Sequence, residues 1–329
     1  MMQALPAEDN ESMAQLVIHG GAGTIPRETM TPEAYAAART GLQNALSAGW
    51  AVLSRRGSAL DAVTAAVVVL EDEPCFNAGH GAVLNAAGEH ELDAAIVDGR
   101  TLGAGAVASA RHPRNPILLA RAIMEQGDHV LLAGGGADAF AREQGLALVE
   151  QDYFTTPLRL QHLQRARDEQ AGLITRPRNE AEKHGTVGAV ALDDDGNLAA
   201  ATSTGGYTNK RVGRVGDSPI IGAGTYARNG RCAVSCTGLG EFFIRYGTAG
   251  SIGAAVALAG KSLDEAAHAA IDELTPHGAG AGLVAVGADG SLSMVFNTLG
   301  MYRGSVSAEG LLGVGVYRDD FEVLEKIVV

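Results

Sequence analysis

Short runs of small and β-branched residues alternate with alanine-rich stretches of helical period along most of the 329-residue chain. Residues 16–19 (LVIH) form an apolar run that ends in the glycine turn Gly20, Gly21, Ala22, Gly23, which predicts a short buried strand. Over 31–52 and 58–70 the apolar residues recur at the spacing of one helix face, and Thr31 before Pro32 supplies an N-cap followed by a first-turn proline. Strands are predicted at 91–97 and 104–108, and helices at 116–126 and 136–143 with a strand at 129–132 between them. The pattern then breaks. Residues 156–169 are polar, amphipathic and arginine-rich, and 172–183 (GLITRPRNEAEK) are charged, contain proline and lack any apolar period. The second stretch predicts a mobile surface segment near 170–185.

The apolar pattern returns abruptly. Residues 186–192 and 198–204 read as strands joined by an Asp-Asp-Asp-Gly-Asn turn, a strong hairpin signal. A strand at 231–237, helices at 241–246, 251–258 and 262–273, and a second hairpin (282–286 and 291–296, turned at Ala288, Asp289 and Gly290) complete the expected elements. Strands at both ends with helices between them predict layered α and β structure, and the hairpins exclude a purely parallel sheet.

Composition narrows the partners. With 25 basic and 38 acidic side chains the net charge is −13, which argues against nucleic acid or an anionic membrane as the main partner. The opening residues carry no basic stretch followed by an apolar run, so a cytoplasmic protein is expected. Cys75, Cys232 and Cys236 are an odd, sparse set that suits a reducing compartment. RCAVSC brings no further metal ligands near, so Cys232 and Cys236 read as buried strand thiols rather than a zinc site.

The junction between the charged segment and the strand at 186 carries the chemistry. A threonine hydroxyl is a weak nucleophile until a base adjoins it, and a chain-terminal threonine brings its own: an α-amine with a pKa of roughly 7.7–8.0. Inside an intact chain that nitrogen is an amide without basicity. Cutting between Gly185 and Thr186 would therefore create the catalyst, and glycine before the threonine leaves its carbonyl open to the hydroxyl. Gly-Thr pairs are common, so the pair by itself is equally an ordinary entry into a strand.

Its surroundings decide. The stretch 184–227 (HGTVGAVALDDDGNLAAATSTGGYTNKRVGRVGDSPIIGAGTYA) resembles the plant-type asparaginase and isoaspartyl peptidase family of N-terminal-nucleophile hydrolases. The resemblance continues through VSCTGLGEFFIR and FNTLGMYRG, and upstream through VIHGGAG, FNAGHGAVLN and HELDAAIVDG, so it spans nearly the whole chain. It implies a four-layer αββα sandwich, self-cleavage into subunits of 1–185 and 186–329, and a homodimer of cleaved protomers acting on β-aspartyl dipeptides and L-asparagine. By motif, Thr186 matches the nucleophile and Thr204 the threonine that hydrogen-bonds near it. In the loop Arg214, Val215, Gly216, Asp217, the arginine and aspartate match the pair that grips the substrate's α-carboxylate and α-ammonium. A guanidinium fork suits the first and a carboxylate the second. Thr237 and Gly238 match the oxyanion donors, with Leu239 and Gly240 completing the substrate loop, and Asn77 matches a residue supporting the nucleophile. The loop 70–80 matches a sodium loop whose ligands are the carbonyls of Leu70, Glu71, Glu73, Phe76, Ala78 and His80; no organic cofactor is implied. Glycosylasparaginases of the same superfamily carry aspartate where this chain has Gly185, which favours small β-aspartyl amides as substrates over glycosylated asparagine.

Rival readings remain thinner. Gly134, Gly136 and Ala139 give G-x-G-x-x-A opening a helix, with Glu150 after a short second run (LALV), as in a dinucleotide-binding module. The chain then turns polar instead of continuing the strand–helix alternation. A silent binding protein with the same fold would be expected to have lost Thr186 or Arg214. Residues 249–253 lack the first glycine of a nucleophile elbow, and His90-Glu91 lacks the second histidine of a zinc-protease helix.

Overall fold

The computed structural model describes residues 12–173 and 185–326. Most of the segment expected to be mobile (174–184) lies outside the described residues.

Two sheets lie face to face between two helical layers. The larger sheet is centred on β1 (Gln15–Gly23), β5 (Val187–Leu192) and β6 (Leu198–Thr204). On the β6 side it continues through β2 (Leu92–Asp98), β3 (Ala104–Ala110) and β4 (Leu131–Ala133). On the β1 side it continues through β11 (Gly300–Val306), β12 (Leu311–Gly315) and β13 (Glu322–Lys326). The smaller sheet has the order β10 (Leu292–Phe296), β9 (Ala281–Gly287), β8 (Cys232–Gly238), β7 (Thr225–Ala227). Every pairing between these strands is antiparallel except β3 with β4.

The central strands read as unbroken apolar runs because both of their faces are covered. Along β5, Val187, Ala189 and Ala191 face one helical layer, while Val190 and Leu192 meet the second sheet. The covering helices are α1 (Pro32–Leu53), α2 (Ala59–Asp72), α3 (Pro116–Gln126) and α4 (Gly134–Glu143). Thr31 caps α1 through the Ala34 amide, and Ser58 caps α2 through that of Asp61. α1 comes close to the sheet because Gly49 has no side chain: a Cβ there would stand 2.6 Å from Leu16 Cδ2. Truncating the fully buried Leu16 to alanine would cost about 2–5 kcal/mol. On the far side α6 (Gly240–Tyr246), α7 (Thr248–Ala259) and α8 (Leu263–Leu274) close the smaller sheet, α8 opening with a Ser262–Glu265 capping box. The architecture is the expected αββα sandwich.

Two expectations shift. The strand expected at 129–132 is the three-residue edge strand β4, and LALV forms only a single bridge, Leu148 to Pro113. Among the described residues no second parallel strand follows, so Gly134, Gly136 and Ala139 do not open a nucleotide-binding βαβ unit. β7 and β11–β13 went unanticipated. β12 is glycine-rich, and β13 (EVLEK) carries charge at both of its ends on the sheet edge, where charge discourages pairing with another chain. A further helix, α5 (Pro157–Gln170), is the polar 156–169 stretch; it is capped by Thr156 and buries only Leu163. Among the described residues no single helix is long and apolar enough to cross a membrane.

Candidate active site

Thr186 stands immediately before β5, between the ends of β1 and β6, and is 6% exposed. Its hydroxyl donates to Thr204 Oγ1 at 3.0 Å, and Thr204 donates in turn to the Gly185 carbonyl at 3.2 Å. Asn77 Nδ2 reaches the same carbonyl at 2.6 Å and also the Gly206 carbonyl at 2.7 Å. Asn77 is itself fixed by the Val83 amide, which donates to its Oδ1 at 2.9 Å. The carbonyl of the Gly185–Thr186 peptide thus has two donors, and the Thr186 hydroxyl adjoins it. Gly21 presses on this bond from β1. Its φ is +112°, and a Cβ there would lie 2.8 Å from Gly185 Cα and 3.2 Å from Thr186 N, so only glycine fits.

The loop after β6 brings Arg214 and Asp217 to the same place. A cavity of about 10 Å³, one water's worth, is lined by Thr186, Thr204, Gly206, Tyr207, Arg214, Gly216, Asp217, Ser218 and Gly238. Arg214 donates to Glu241 through Nε (2.9 Å) and Nη2 (3.0 Å), and its guanidinium lies 4.6 Å above the Tyr207 ring. Its Nη1 edge stays toward the cavity: a Cβ on Gly216 would be 2.8 Å from it. Asp217 is 5% exposed, and its Oδ2 accepts no hydrogen bond. Burial pushes its carboxyl up to about 7, against the pull of a backbone hydrogen bond and Arg214. A cation edge and an orphaned acid therefore share one small space.

The expected oxyanion residues divide. Gly238 lines the cavity with φ +141°, a conformation that leaves a Cβ 2.3 Å from the Gly280 carbonyl. Thr237 is fully buried, outside that lining, and accepts the Ala22 amide at 3.1 Å. Gly240 abuts Asp217 and Arg214: a Cβ there would be 2.6 Å from Asp217 Oδ1. Val215 and Leu239 lie outside the small cavity, Leu239 on the wall of a larger cleft beside it.

The Asparaginase_2 family model, described as Asparaginase, matches residues 12–316. The chain belongs to the asparaginase family. It is 48% identical to the isoaspartyl peptidase of Escherichia coli strain K12, over 93% of this chain and 97% of that protein. It is 43% identical to the isoaspartyl peptidase/L-asparaginase of Xenopus laevis over 94% of this chain and 98% of that one. With the probable isoaspartyl peptidase/L-asparaginase 2 of Arabidopsis thaliana it shares 36% over 92% and 98%.

Within this asparaginase-family frame, several supporting groups escaped the sequence reading. His19 bonds the Thr186 carbonyl through Nδ1 and Ser235 Oγ through Nε2, both at 2.8 Å. Burial drives its pKa down to about 3 despite the Thr186 bond, so it is neutral. A carbonyl accepts only, which assigns the proton to Nδ1. Ser235 therefore donates to Nε2 and accepts from Thr202 (2.7 Å), and Thr225 shares its one proton between Thr202 (2.7 Å) and the Ser218 carbonyl (3.0 Å). Thr186 and the loop that carries Asp217 are so joined across both sheets. Lys210, fully buried, donates to the Glu91 carbonyl at 2.8 Å, and Glu91 accepts the Gly213 amide at 2.9 Å, fixing the Arg214 loop from behind. His19 stands in the VIHGGAG motif and Lys210 in TNKRVGR; only their burial distinguishes them.

Carbonyls of the loop 70–80 crowd Gly79 and Gly81. A Cβ on Gly81 would stand 2.5 Å from the Pro74 oxygen and 2.7 Å from that of Phe76, and one on Gly79 2.5 Å from that of Glu71. The Glu71 oxygen also accepts the His80 amide at 2.7 Å. The Glu71 side chain turns away to Ser203 (2.6 Å) and the Ile117 amide (3.0 Å), its carboxyl raised to about 8 by burial. Among the described residues no three His, Cys, Asp or Glu side chains gather as a metal site. Carbonyl oxygens are the donors this loop offers, and such donors suit a hard cation.

Proposed function

We propose that this chain is an autoprocessed threonine amidohydrolase that cuts itself between Gly185 and Thr186 and then releases L-aspartate from β-aspartyl dipeptides and L-asparagine. One observation carries the reading: the Thr186 hydroxyl, relayed through Thr204, beside a Gly185 carbonyl held by Asn77 and Thr204.

In the first reaction Thr186 Oγ attacks the Gly185 carbonyl carbon while its proton passes toward Thr204. Asn77 and Thr204 stabilise the charge that develops on the carbonyl oxygen, and the peptide nitrogen leaves as a protonated amine. Water then hydrolyses the ester to give the Gly185 carboxylate. In the second reaction the freed Thr186 amine takes the hydroxyl proton and Oγ attacks the substrate's β-carbonyl carbon. Ammonia or an amino acid departs with a proton, and water cleaves the acyl-enzyme to aspartate. Arg214 and Asp217 hold the α-carboxylate and α-ammonium, and Thr237 and Gly238 the oxyanion. A preorganised donor of that kind is worth about 10²–10³ in rate.

A sodium ion on the carbonyls of Leu70, Glu71, Glu73, Phe76, Ala78 and His80 belongs to the proposal as a structural element, in keeping with the carbonyls of Glu71 and Phe76 that crowd Gly79 and Gly81. So do the cytoplasm, in keeping with three free cysteines, and a homodimer, to be read by light scattering. In the nine-stranded sheet β5 inserts between β1 and β6, and β6 pairs with β2, so 1–185 and 186–329 interleave as one folding unit.

Intact mass of the purified protein tests the reading. Two polypeptides meeting between residues 185 and 186 are expected, and Thr186→Ala should give one chain and no aspartate release. A fully active unbroken chain would overturn it.

A further inference from the structure

Beside the small nucleophile cavity lies a cleft of about 910 Å³ that the proposed reaction leaves without a task. The two adjoin. Tyr207 lines both, and the cleft wall includes Leu239, which sits between Gly238 of the small cavity and Gly240 beside Asp217. The pocket on the Gly185 side of the scissile bond, about 380 Å³, shares no lining residue with the small cavity.

An aspartyl amide has two halves. Arg214 and Asp217 account for the charged ends of the acyl half, and the small cavity's lining leaves no further side chain to meet whatever is attached to the leaving nitrogen. The space continuous with it, across Tyr207 and Leu239, is this cleft. Thr24, Gly280, Asn297 and Leu299 line it together with those two residues, and among the described lining residues its charge is one carboxylate, Glu169, with no Lys, Arg or His. Leu299 is 57% exposed on a loop that Asn297 ties down, accepting the Ala281 amide at 2.7 Å and donating to the Ala279 carbonyl at 3.0 Å. An exposed leucine on a fixed loop offers apolar area to a ligand, and an acidic ligand side chain would meet no cation there.

We propose that this cleft binds the residue on the amine side of the scissile β-aspartyl bond, and that Leu299, with Leu239, selects an apolar side chain there over an acidic one. The inference rests on the β-aspartyl hydrolase reading above. L-Asparagine separates the two, because its leaving group is ammonia and never enters the cleft.

The experiment measures kcat/KM of the cleaved enzyme for L-asparagine, β-aspartyl-leucine and β-aspartyl-glutamate, in the parent, Leu299→Ala and Leu299→Lys. The parent should favour the leucine dipeptide over the glutamate one by about tenfold. Leu299→Ala should shrink that ratio several-fold through the leucine substrate, and Leu299→Lys should close or invert it. Asparagine should stay within about twofold throughout. A dipeptide ratio unmoved by Leu299→Lys, or an equal loss on all three substrates, overturns the subsite and leaves the hydrolase standing. No aspartate from any of the three with the parent would instead sink the reading on which the subsite rests.

Discussion

The two halves of the active site are in different states of readiness. Around the Gly185–Thr186 bond every group is already aimed: Thr186 on Thr204, Thr204 and Asn77 on the Gly185 carbonyl, Gly21 pressed against the peptide. Around Arg214 the charges are turned toward one another. Two guanidinium donors rest on Glu241, Asp217 is neutral at acid pH, and the space between them holds about one water. An intramolecular reaction needs no binding step, so its geometry can be complete in the folded chain. A site for an outside ligand keeps its charges compensated until that ligand replaces the compensation.

The comparison predicts that damage to one half leaves the other working. Arg214→Ala should show the largest separation. Removing a desolvated, hydrogen-bonded cation costs about 2–5 kcal/mol in binding, so kcat/KM on asparagine should fall about 10²–10³-fold or more. Cleavage of the chain, followed by gel or intact mass, should proceed at close to the parent rate. Aspartate release near the parent rate would show that the arginine does not grip the substrate.

Asn77→Ala is the converse. It strips the nearest donor from the Gly185 carbonyl and should slow chain cleavage by about 10²-fold. Molecules that do mature should hydrolyse asparagine with far less loss, because the Gly185 carbonyl has then gone. Time-resolved mass spectrometry of freshly expressed protein reads the first rate, and coupled assay of the mature fraction the second.

How far the sequence anticipated this arrangement follows from where the information sits. The β5–β6 hairpin was legible because Asp193–Asn197 is a turn in any context, and Asp193 indeed accepts the Asp195 and Asn197 amides. The helix caps were legible for the same local reason. The Thr186, Arg214 and Asp217 cluster was legible only through motif resemblance, since nothing in the spacing of residues 186 and 214 says that they meet. β11–β13 were missed because their glycines and charges earn no apolar score; they are strands by pairing with β1 and with one another. His19 and Lys210 were missed because a histidine and a lysine declare their burial only once the sheet partners exist.

The pH response should sharpen the contrast further. The Asp217 carboxyl is raised, so it is neutral below about 7 and charged above, and only the charged form pairs with a substrate ammonium. The Thr186 amine of the cleaved enzyme must also lose its proton. At low pH, the logarithm of kcat/KM for asparagine should therefore rise with a slope of about two per pH unit, and Asp217→Asn should reduce that slope to about one. An unchanged slope in Asp217→Asn would remove the aspartate from ammonium binding.

Glu241 offers the smallest effect and the finest distinction. It lies at the start of α6, 44% exposed, and holds Arg214 by two parallel bonds while Tyr207 supports the guanidinium face. On the proposed mechanism that grip does two opposed things: it aims the Nη1 edge at the cavity, and it competes for the cation that would hold the α-carboxylate. Solvent screening keeps the competition weak for a half-exposed carboxylate, whereas the aim depends on geometry that screening does not touch. Aim should therefore dominate. Glu241→Gln keeps one acceptor but sets an amide N–H against Nη2, so the guanidinium should swing and KM for asparagine should rise about three- to tenfold, with kcat and chain cleavage unchanged. A fall in KM would mean that Glu241 chiefly occupies the arginine, and that the substrate half is held closed by its own carboxylate.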